Sequence, residues 1–500
     1  MLKLPCFKIA FCLPIFLALP ACMHVSPQSL STQELSEQSS IDRIASQQDV
    51  EPILGALTLD QAIARALKYN LDRRARMLEE ALTFQQHEVS RYDMLPKLLA
   101  QAGYSSRNND KISQSRNADD GSLSQSRFVS QDRDHTVSSL ALSWNMLDLG
   151  VGYFGARQQA DRALIASEKR RKAMHLLMQD VRTAFWRAVS AQKLGTEVRA
   201  ANQMAEEALA DARQAEAERL RNPIDSLRYQ RQVLENLRLL EAIEQELSTA
   251  QTELALLINA PLGQPISLVE PDFQLDSGTL AMPVATMEET ALGANADLRE
   301  AHYNARIARE ETRKTLVRLF PSLNFSYGLN YDTDSYLVNR QWNEAGVQLS
   351  FNLFNLLTGP NQLKLAEAGV ALADQRRVAM QLAVLAQVHL ARQQLANAQQ
   401  QFKRADAIWE IDRRISAHMD NREASQVQSK LDRVANQTTA ILSLLRRYQA
   451  LAQAQAAEAR MQATLGVEPQ IGSVDDLSLA QLSTVLSNQG SDTKAAGTAP

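Results

Sequence analysis

Cysteine is nearly absent from this chain. Cys6, Cys12 and Cys22 are its three cysteines, all within the first 22 of 500 residues, so nothing downstream can form a disulfide framework. No later segment has the run of about 18 apolar residues that makes a transmembrane helix. A bilayer crossing would therefore need a closed barrel, the other structure that satisfies its own backbone polar groups. Neither sign of charge dominates: 53 Lys and Arg against 57 Asp and Glu give a net charge of −4, which offers no electrostatic basis for a nucleic-acid partner. Phosphate-cradling glycine loops, paired-cysteine metal spacings and nucleophile motifs are missing too. The seven histidines are scattered, and His87, His175, His302 and His389 sit in helical patterns where surface or core roles account for them. Neither an enzyme nor a cofactor is expected. Aromatics are only 5%, glycine and proline number 18 and 15, and the abundance of Ala, Leu, Gln, Arg and Glu favours long helices.

The first residues read as an export signal. Lys3 and Lys8 supply the positive end, Ile9 to Leu19 the apolar centre, and Leu19-Pro20-Ala21-Cys22 the end. That last run resembles a bacterial lipobox, after which Cys22 becomes the lipid-carrying first residue. An ordinary signal with a coincidental cysteine is the competing reading. Cleavage before Cys22 leaves a mature chain with one cysteine, at the site where lipid attaches. Stable anchoring takes more than one acyl chain at about 0.8 kcal/mol per buried CH2, which a triacylated cysteine provides.

At Pro321 a charged helical pattern gives way to strict two-residue alternation. Leu323, Phe325, Tyr327, Leu329 and Tyr331 fall on one face, and Ser322, Asn324, Ser326, Gly328 and Asn330 on the other. This suits a strand between lipid and a wet lumen, and equally a half-buried strand of a soluble sandwich.

The chain repeats itself. Ala66-Leu67-Lys68-Tyr69-Asn70-Leu71-Asp72 returns as Ala291-Leu292-Gly293-Ala294-Asn295-Ala296-Asp297, and at the same offset Leu95-Pro96-Lys97-Leu98 returns as Phe320-Pro321-Ser322-Leu323. Leu142-Ser143-Trp144-Asn145-Met146-Leu147 returns at a shorter offset as Leu349-Ser350-Phe351-Asn352-Leu353-Phe354. The difference between the two offsets assigns the extra residues to the polar stretch Ser105 to Asp134, read as a long loop. Alternation at Leu98 to Ser105, Ser139 to Asn145 and Gly346 to Leu353 brings the count to four strands per chain.

Heptads fill the rest. Leu177, Val181, Ala184, Ala188, Ala191, Gly195, Val198, Ala201, Ala205, Ala208, Ala212 and Ala215 keep a four-three rhythm in the first copy. Val384, Val388, Ala391, Leu395, Ala398, Phe402, Ala405 and Trp409 keep it in the second, and Val427 to Ala452 on a return helix. Such seams imply antiparallel coiled-coil packing. A helix from about Gly150 to Arg221 would be about 100 Å long. Asn222-Pro223 marks the first turn, and the second falls within Ser416 to Ala424. The layout is a signal over 1–21, a polar tether over 22–56, a first repeat over 57–263, a connector over 264–285, a second repeat over 286–469, and a final segment with a disordered tail over 470–500.

Four strands cannot close a membrane barrel, which needs about eight, and a lone protomer would leave two open edges. Three copies in a cyclic oligomer would pool twelve. Here the order and duplication resemble the TolC-type outer-membrane efflux proteins, over about Leu57 to Pro469. Carrying residues are Leu57-Thr58-Leu59-Asp60-Gln61-Ala62 with Ala66-Leu67-Lys68-Tyr69-Asn70, then Leu95-Pro96-Lys97-Leu98, then Leu142 to Gly150. The resemblance implies an α+β membrane protein whose long helical hairpins and four strands trimerise into a 12-stranded outer-membrane barrel and a periplasmic α-helical tunnel. It implies a homotrimer in outer-membrane lipid, a periplasmic adaptor (membrane fusion) protein, and an inner-membrane transporter, of the RND type given the lipidated N-terminus.

The function implied is a passive exit duct for drugs and other toxic small molecules. The duct of a type I protein secretion system and a pore-less periplasmic coiled-coil scaffold lipoprotein are the alternatives. The periplasmic tip is the implied gate, since rings of carboxylates favour cations. Asp420 and Glu423 lie in the second turn, Asp432 lies two turns on, and Arg413, Arg414 and Arg422 are the candidate partners. A solvated charged turn is the plainer reading of the same residues, and the glycine usual near the tips of the family is missing.

Overall fold

The computed structural model describes residues 28–218, 222–271, 278–423, 430–467, 474 and 476–496; within its helices the side chains of 416, 417, 419–423, 430–433 and 489–496 lie outside that description. The signal and Cys22 fall outside the described residues. Two units are separated after Pro52. In the first, helix α1 spans Thr32–Gln47 within the expected tether. A reciprocal cap starts it: Ser31 Oγ accepts from the Glu34 amide at 3.2 Å, and the Glu34 carboxylate accepts from the Ser31 amide at 2.8 Å.

The second unit holds the repeat. Helices α2 (Leu59–Tyr69) and α3 (Leu71–Ser90) and a 3-10 turn lead to β1 (Lys97–Ser106). Then come β2 (Ile112–Arg116), β3 (Leu123–Val129) and β4 (Asp134–Asn145), followed by α4 (Met146–Ala217) and α5 (Pro223–Leu257). Short α6 (Gly278–Ala281) and α7 (Val284–Ala294) precede α8 (Ala296–Arg318), β5 (Ser322–Asp332) and β6 (Gln341–Ser350). Helices α9 (Asn355–Glu423), α10 (Lys430–Leu465) and α11 (Leu479–Ala496) close the order.

Strands β1, β4, β5 and β6 form one antiparallel sheet in that order. The expected long loop is not one: Ser105 to Asp134 contains the hairpin β2–β3, a separate two-stranded sheet. Its strands alternate polar residues with few apolar ones, so the sequence carried little sign of them. Helix α11 likewise runs through Ala496, where disorder was expected from Asn488.

Helix α4 has 72 residues and therefore extends about 108 Å. The first turn is where expected, with Asn222 Oδ1 accepting from the Ile224 amide at 3.0 Å and Pro223 opening α5. The second was placed too early. Helix α9 continues through Glu423, so Ser416 to Glu423 of the expected window are helical, and Ala424 lies outside the described residues. Most of the heptad residues are packed: Val181, Ala188, Val198, Ala201, Ala205, Val384, Val388 and Leu395 are buried, Ala191, Gly195, Ala405 and Trp409 are half-buried, and Val427 and the Leu431 side chain lie outside the described residues.

The largest core forms where α2, α4, α5, α10 and α11 converge. Trp186 stacks on Tyr448 at 6.4 Å and meets Phe185 edge-on at 6.2 Å, with Ile63, Leu67, Leu254 and Leu482 around them. Each such side chain contributes about 1.5–3 kcal/mol on burial, which anchors both hairpins to one middle. Burial, and then the Glu270 carboxylate that accepts from its hydroxyl at 2.8 Å, push the Tyr448 phenol up.

Candidate channel wall

Strand register puts the alternating residues of all four strands on common faces. Leu98, Leu142, Tyr327 and Ala345 form one cross-strand row, and Trp144, Phe325 and Val347 the next. The opposite face carries Lys97, Ser143, Ser326 and Gly346 in one row and Asn145, Asn324 and Gln348 in another. Polar side chains on that face bond to each other: Ser143 Oγ donates to Asn324 Oδ1 at 3.0 Å, and Asn145 Nδ2 to Ser322 Oγ at 2.8 Å.

Among the described residues no second layer covers the apolar face. Trp144, Phe325, Tyr327 and Leu329 are 38–46% exposed on the two inner strands, and Leu98 and Val347 on the edge strands are 65% and 68% exposed. A sandwich would bury this face, so the sandwich reading is set aside for the protomer. A contiguous apolar patch of this kind marks a membrane or protein interaction surface.

Each strand continues into a helix, and the helices pack in the order of the strands. Helix α3 leads into β1, α4 leaves β4, α8 leads into β5 and α9 leaves β6. Among them α3 packs on α4, α4 on α8, and α8 on α9. Where the helices meet near the sheet, glycine allows close approach. A Cβ on Gly152 would lie 3.2 Å from the main chain of Asp93, and one on Gly359 would lie 3.2 Å from Leu319. Gly152 and Gly359 are repeat equivalents, related by the same offset as Leu142 and Leu349.

Beyond the sheet, loops are tied by carboxylates. Asp132 accepts from the Ser335 amide and hydroxyl, and those bonds hold its carboxyl below the ordinary range. Arg133 forks onto Asp110 at 2.6 and 3.0 Å and lowers that carboxyl likewise.

The expected gate residues are at the far ends of the second hairpin. Asp420, Arg422 and Glu423 belong to the last turns of α9 and Asp432 to the first turn of α10, but their side chains lie outside the described residues. Arg414 is exposed. Arg413 bonds Glu410 at 2.8 Å on its own helix and lies over the Trp409 ring at 5.4 Å. What the sequence reading missed is a second cation on that ring. Arg447 from α10 covers it at 4.6 Å and is held by Asp406 at 2.6 Å. Asp406 on α9 and Arg447 on α10 stand equally far from the described ends of their helices, Glu423 and Lys430, a pairing that needs the position of the turn and so could not be read from the sequence. Among the described residues no cluster of metal-ligating side chains occurs.

No protein-family model and no curated protein matches the chain. Solved structures do. The outer-membrane channel OprN is 16% identical, with a TM-score of 0.61 over 82% of this chain and 90% of that one. The CmeC outer-membrane channel of Campylobacter jejuni is 13% identical, with a TM-score of 0.62 over 87% of this chain and 89% of that one. The MtrE outer-membrane channel of Neisseria gonorrhoeae, in its open state, is 15% identical, with a TM-score of 0.60 over 82% and 88%. Sheet, helix row and paired hairpins together make the fold of this chain that of the TolC-type outer-membrane channels.

Proposed function

We propose that this chain is the protomer of a passive outer-membrane exit duct serving a tripartite efflux system. The observation that carries the reading is the four-stranded sheet with one bare apolar face, one polar face, and two open edges at β1 and β6. An unpaired strand edge in lipid is costly, so β6 of one copy pairs with β1 of the next until the sheet closes. Three copies give twelve strands, with the apolar faces towards lipid and Asn324, Ser326 and Ser143 towards a wet lumen. The helix row below, ordered as the strands are, continues the wall as a tunnel in the periplasm.

A periplasmic adaptor and an inner-membrane transporter of the RND type would load the tunnel with small toxic compounds, and the duct itself performs no chemistry. Cys22 would carry the lipid, and the charged tip around Asp420, Glu423, Asp432, Arg413, Arg414 and Arg422 would form the gate. A pore-less scaffold gives no reason for an apolar sheet face and leaves it bare in water. Purified full-length protein in planar bilayers tests the reading. Step-like conductance with a detergent-stable trimer is expected, and a non-conducting, detergent-free soluble monomer would overturn it.

A further inference from the structure

The polar face of the sheet stays partly open to solvent along most of its length and closes at one end. Register places Gln101, Ser139, Asn330 and Trp342 in one row of that face and Gly103, Val137 and Asp332 in the next, with Ser105 and His135 beyond. Ser139 and Asn330 are half-buried, and Val137 and Trp342 are exposed. His135 and Asp332, by contrast, are only 7% and 9% exposed. Both stand at the end of the sheet remote from the helix row, where the longer β1–β4 connection and the shorter β5–β6 connection leave it.

The groups bonded to them belong to those two loops. Gln131 Nε2 lies 3.0 Å from His135 Nε2, and Asp332 Oδ1 accepts from the Asp334 amide at 3.0 Å. Asp334 is itself buried, and its Oδ1 accepts from the Asp132 amide at 3.1 Å and the Tyr336 amide at 3.1 Å. Asp132 in turn accepts from the Ser335 amide, and from the Ser335 hydroxyl at 2.9 Å. Each loop thus offers a carboxylate to a main-chain amide of the other, and bonds to an ionised acceptor are about twice as strong as neutral ones. Thr333 Oγ1 adds a further tie, accepting from the Thr136 amide at 2.8 Å. The longer loop is also braced at its base, where Arg133 forks onto Asp110 and the Ser130 amide donates to the Lys111 carbonyl at 3.1 Å. The shorter repeat offset takes Asp132 to Asn339, which is uncharged, so this carboxylate occurs once per copy.

We propose that these reciprocal bonds hold the two loops inward over the outer mouth of the duct, as a constriction that limits the size of the solutes that leave, with Asp132 as its positioning residue. The inference rests on the duct reading, which makes the polar face the lumen and the sheet end remote from the helices the outer mouth. It accounts for His135 and Asp332 being covered on a face that is otherwise partly open. Opening this mouth requires breaking the bonds between Asp132, Ser335 and Asp334, while the Arg133–Asp110 brace and the β2–β3 hairpin stay in place. The constriction is therefore separate from the charged tip, at the opposite end of the chain's long helices, and acts on neutral solutes as well as ions.

The test is size-dependent labelling from outside in intact cells that make the full-length chain. Ser139→Cys and Asn330→Cys, made singly on the polar face, report passage through the mouth, and the parent chain controls for Cys22. Small N-ethylmaleimide should label either cysteine whether the loops are tied or not. Uncharged maleimides on polyethylene glycol chains of increasing length should react several-fold faster once Asp132→Ala is added. Ser335→Ala, which keeps one of the two bonds to Asp132, should fall between. Asp119→Ala, which removes a carboxylate from the β2–β3 turn away from these bonds, should change nothing. Equal rates with Asp132 present and removed, at every polymer length, would overturn the constriction and leave the duct standing. Cysteines that react with no maleimide would also overturn it, and in a chain that does not conduct they would overturn the duct as well.

Discussion

Asn295 Nδ2 donates to the main-chain carbonyl of Thr464 at 2.9 Å, and Asn70 Nδ2 makes the same bond to Leu257 at 3.0 Å. The longer repeat offset relates the two asparagines and the shorter one the two carbonyls, so both copies of the repeat keep one bond. Each asparagine also caps its own helix, Asn295 Oδ1 accepting from the amides of Asp297 and Leu298, and Asn70 Oδ1 from the amide of Arg73. One buried amide thus satisfies the start of an outgoing helix and the end of a returning one.

Asn295→Ala removes both functions. A lost N-cap and an unpaired buried carbonyl together cost about 2–4 kcal/mol. A lower thermal midpoint by circular dichroism is expected, with Asn295→Asp intermediate because it keeps the cap and loses the donor. An unchanged midpoint in the alanine variant would refute the bridging role.

Arg447 joins the second hairpin through Asp406 and through Trp409. Partly exposed ion pairs contribute about 0–1 kcal/mol, and a cation over an indole about 0.5–1 kcal/mol. Arg447→Met should therefore loosen the hairpin more than Asp406→Asn does. Amide exchange near the ends of α9 and α10 reads this, and equal effects from the two variants would count against the aromatic contact.

On the proposed trimeric duct with Asp420 at its tip, Asp420→Lys should change single-channel conductance and lower cation preference in planar bilayers, because three carboxylates would become three cations. Identical conductance and selectivity would remove Asp420 from the gate.

Cys22→Ser should abolish incorporation of labelled palmitate while leaving the fold intact. Persistent labelling would show that the lipid is attached elsewhere.

Much of this architecture was legible in the linear chain. Alternation at Leu323 to Tyr331 and the duplicate at Leu98 to Ser105 assigned strand faces, because side-chain direction in a strand follows residue parity alone. The heptads likewise marked Val181, Ala201, Val388 and Leu395 as packed. The hairpin β2–β3 was not legible, because Ser, Gln and Arg alternate there without an apolar face. Nor was the end of α9, where polar residues fit a helix and a turn alike.

The uncovered strand β5 was ambiguous in sequence, since period-two alternation says that one face is apolar without saying what touches it. Tertiary structure decided that no layer among the described residues does. It also decided the order of the wall. Register and helix packing are long-range facts, and they set β1 and α3 at one end and β6 and α9 at the other. The sequence by itself determined the parts and their duplication through local periodicity. Which faces are satisfied within one copy, and which are left for another, depended on contacts between residues far apart in the chain.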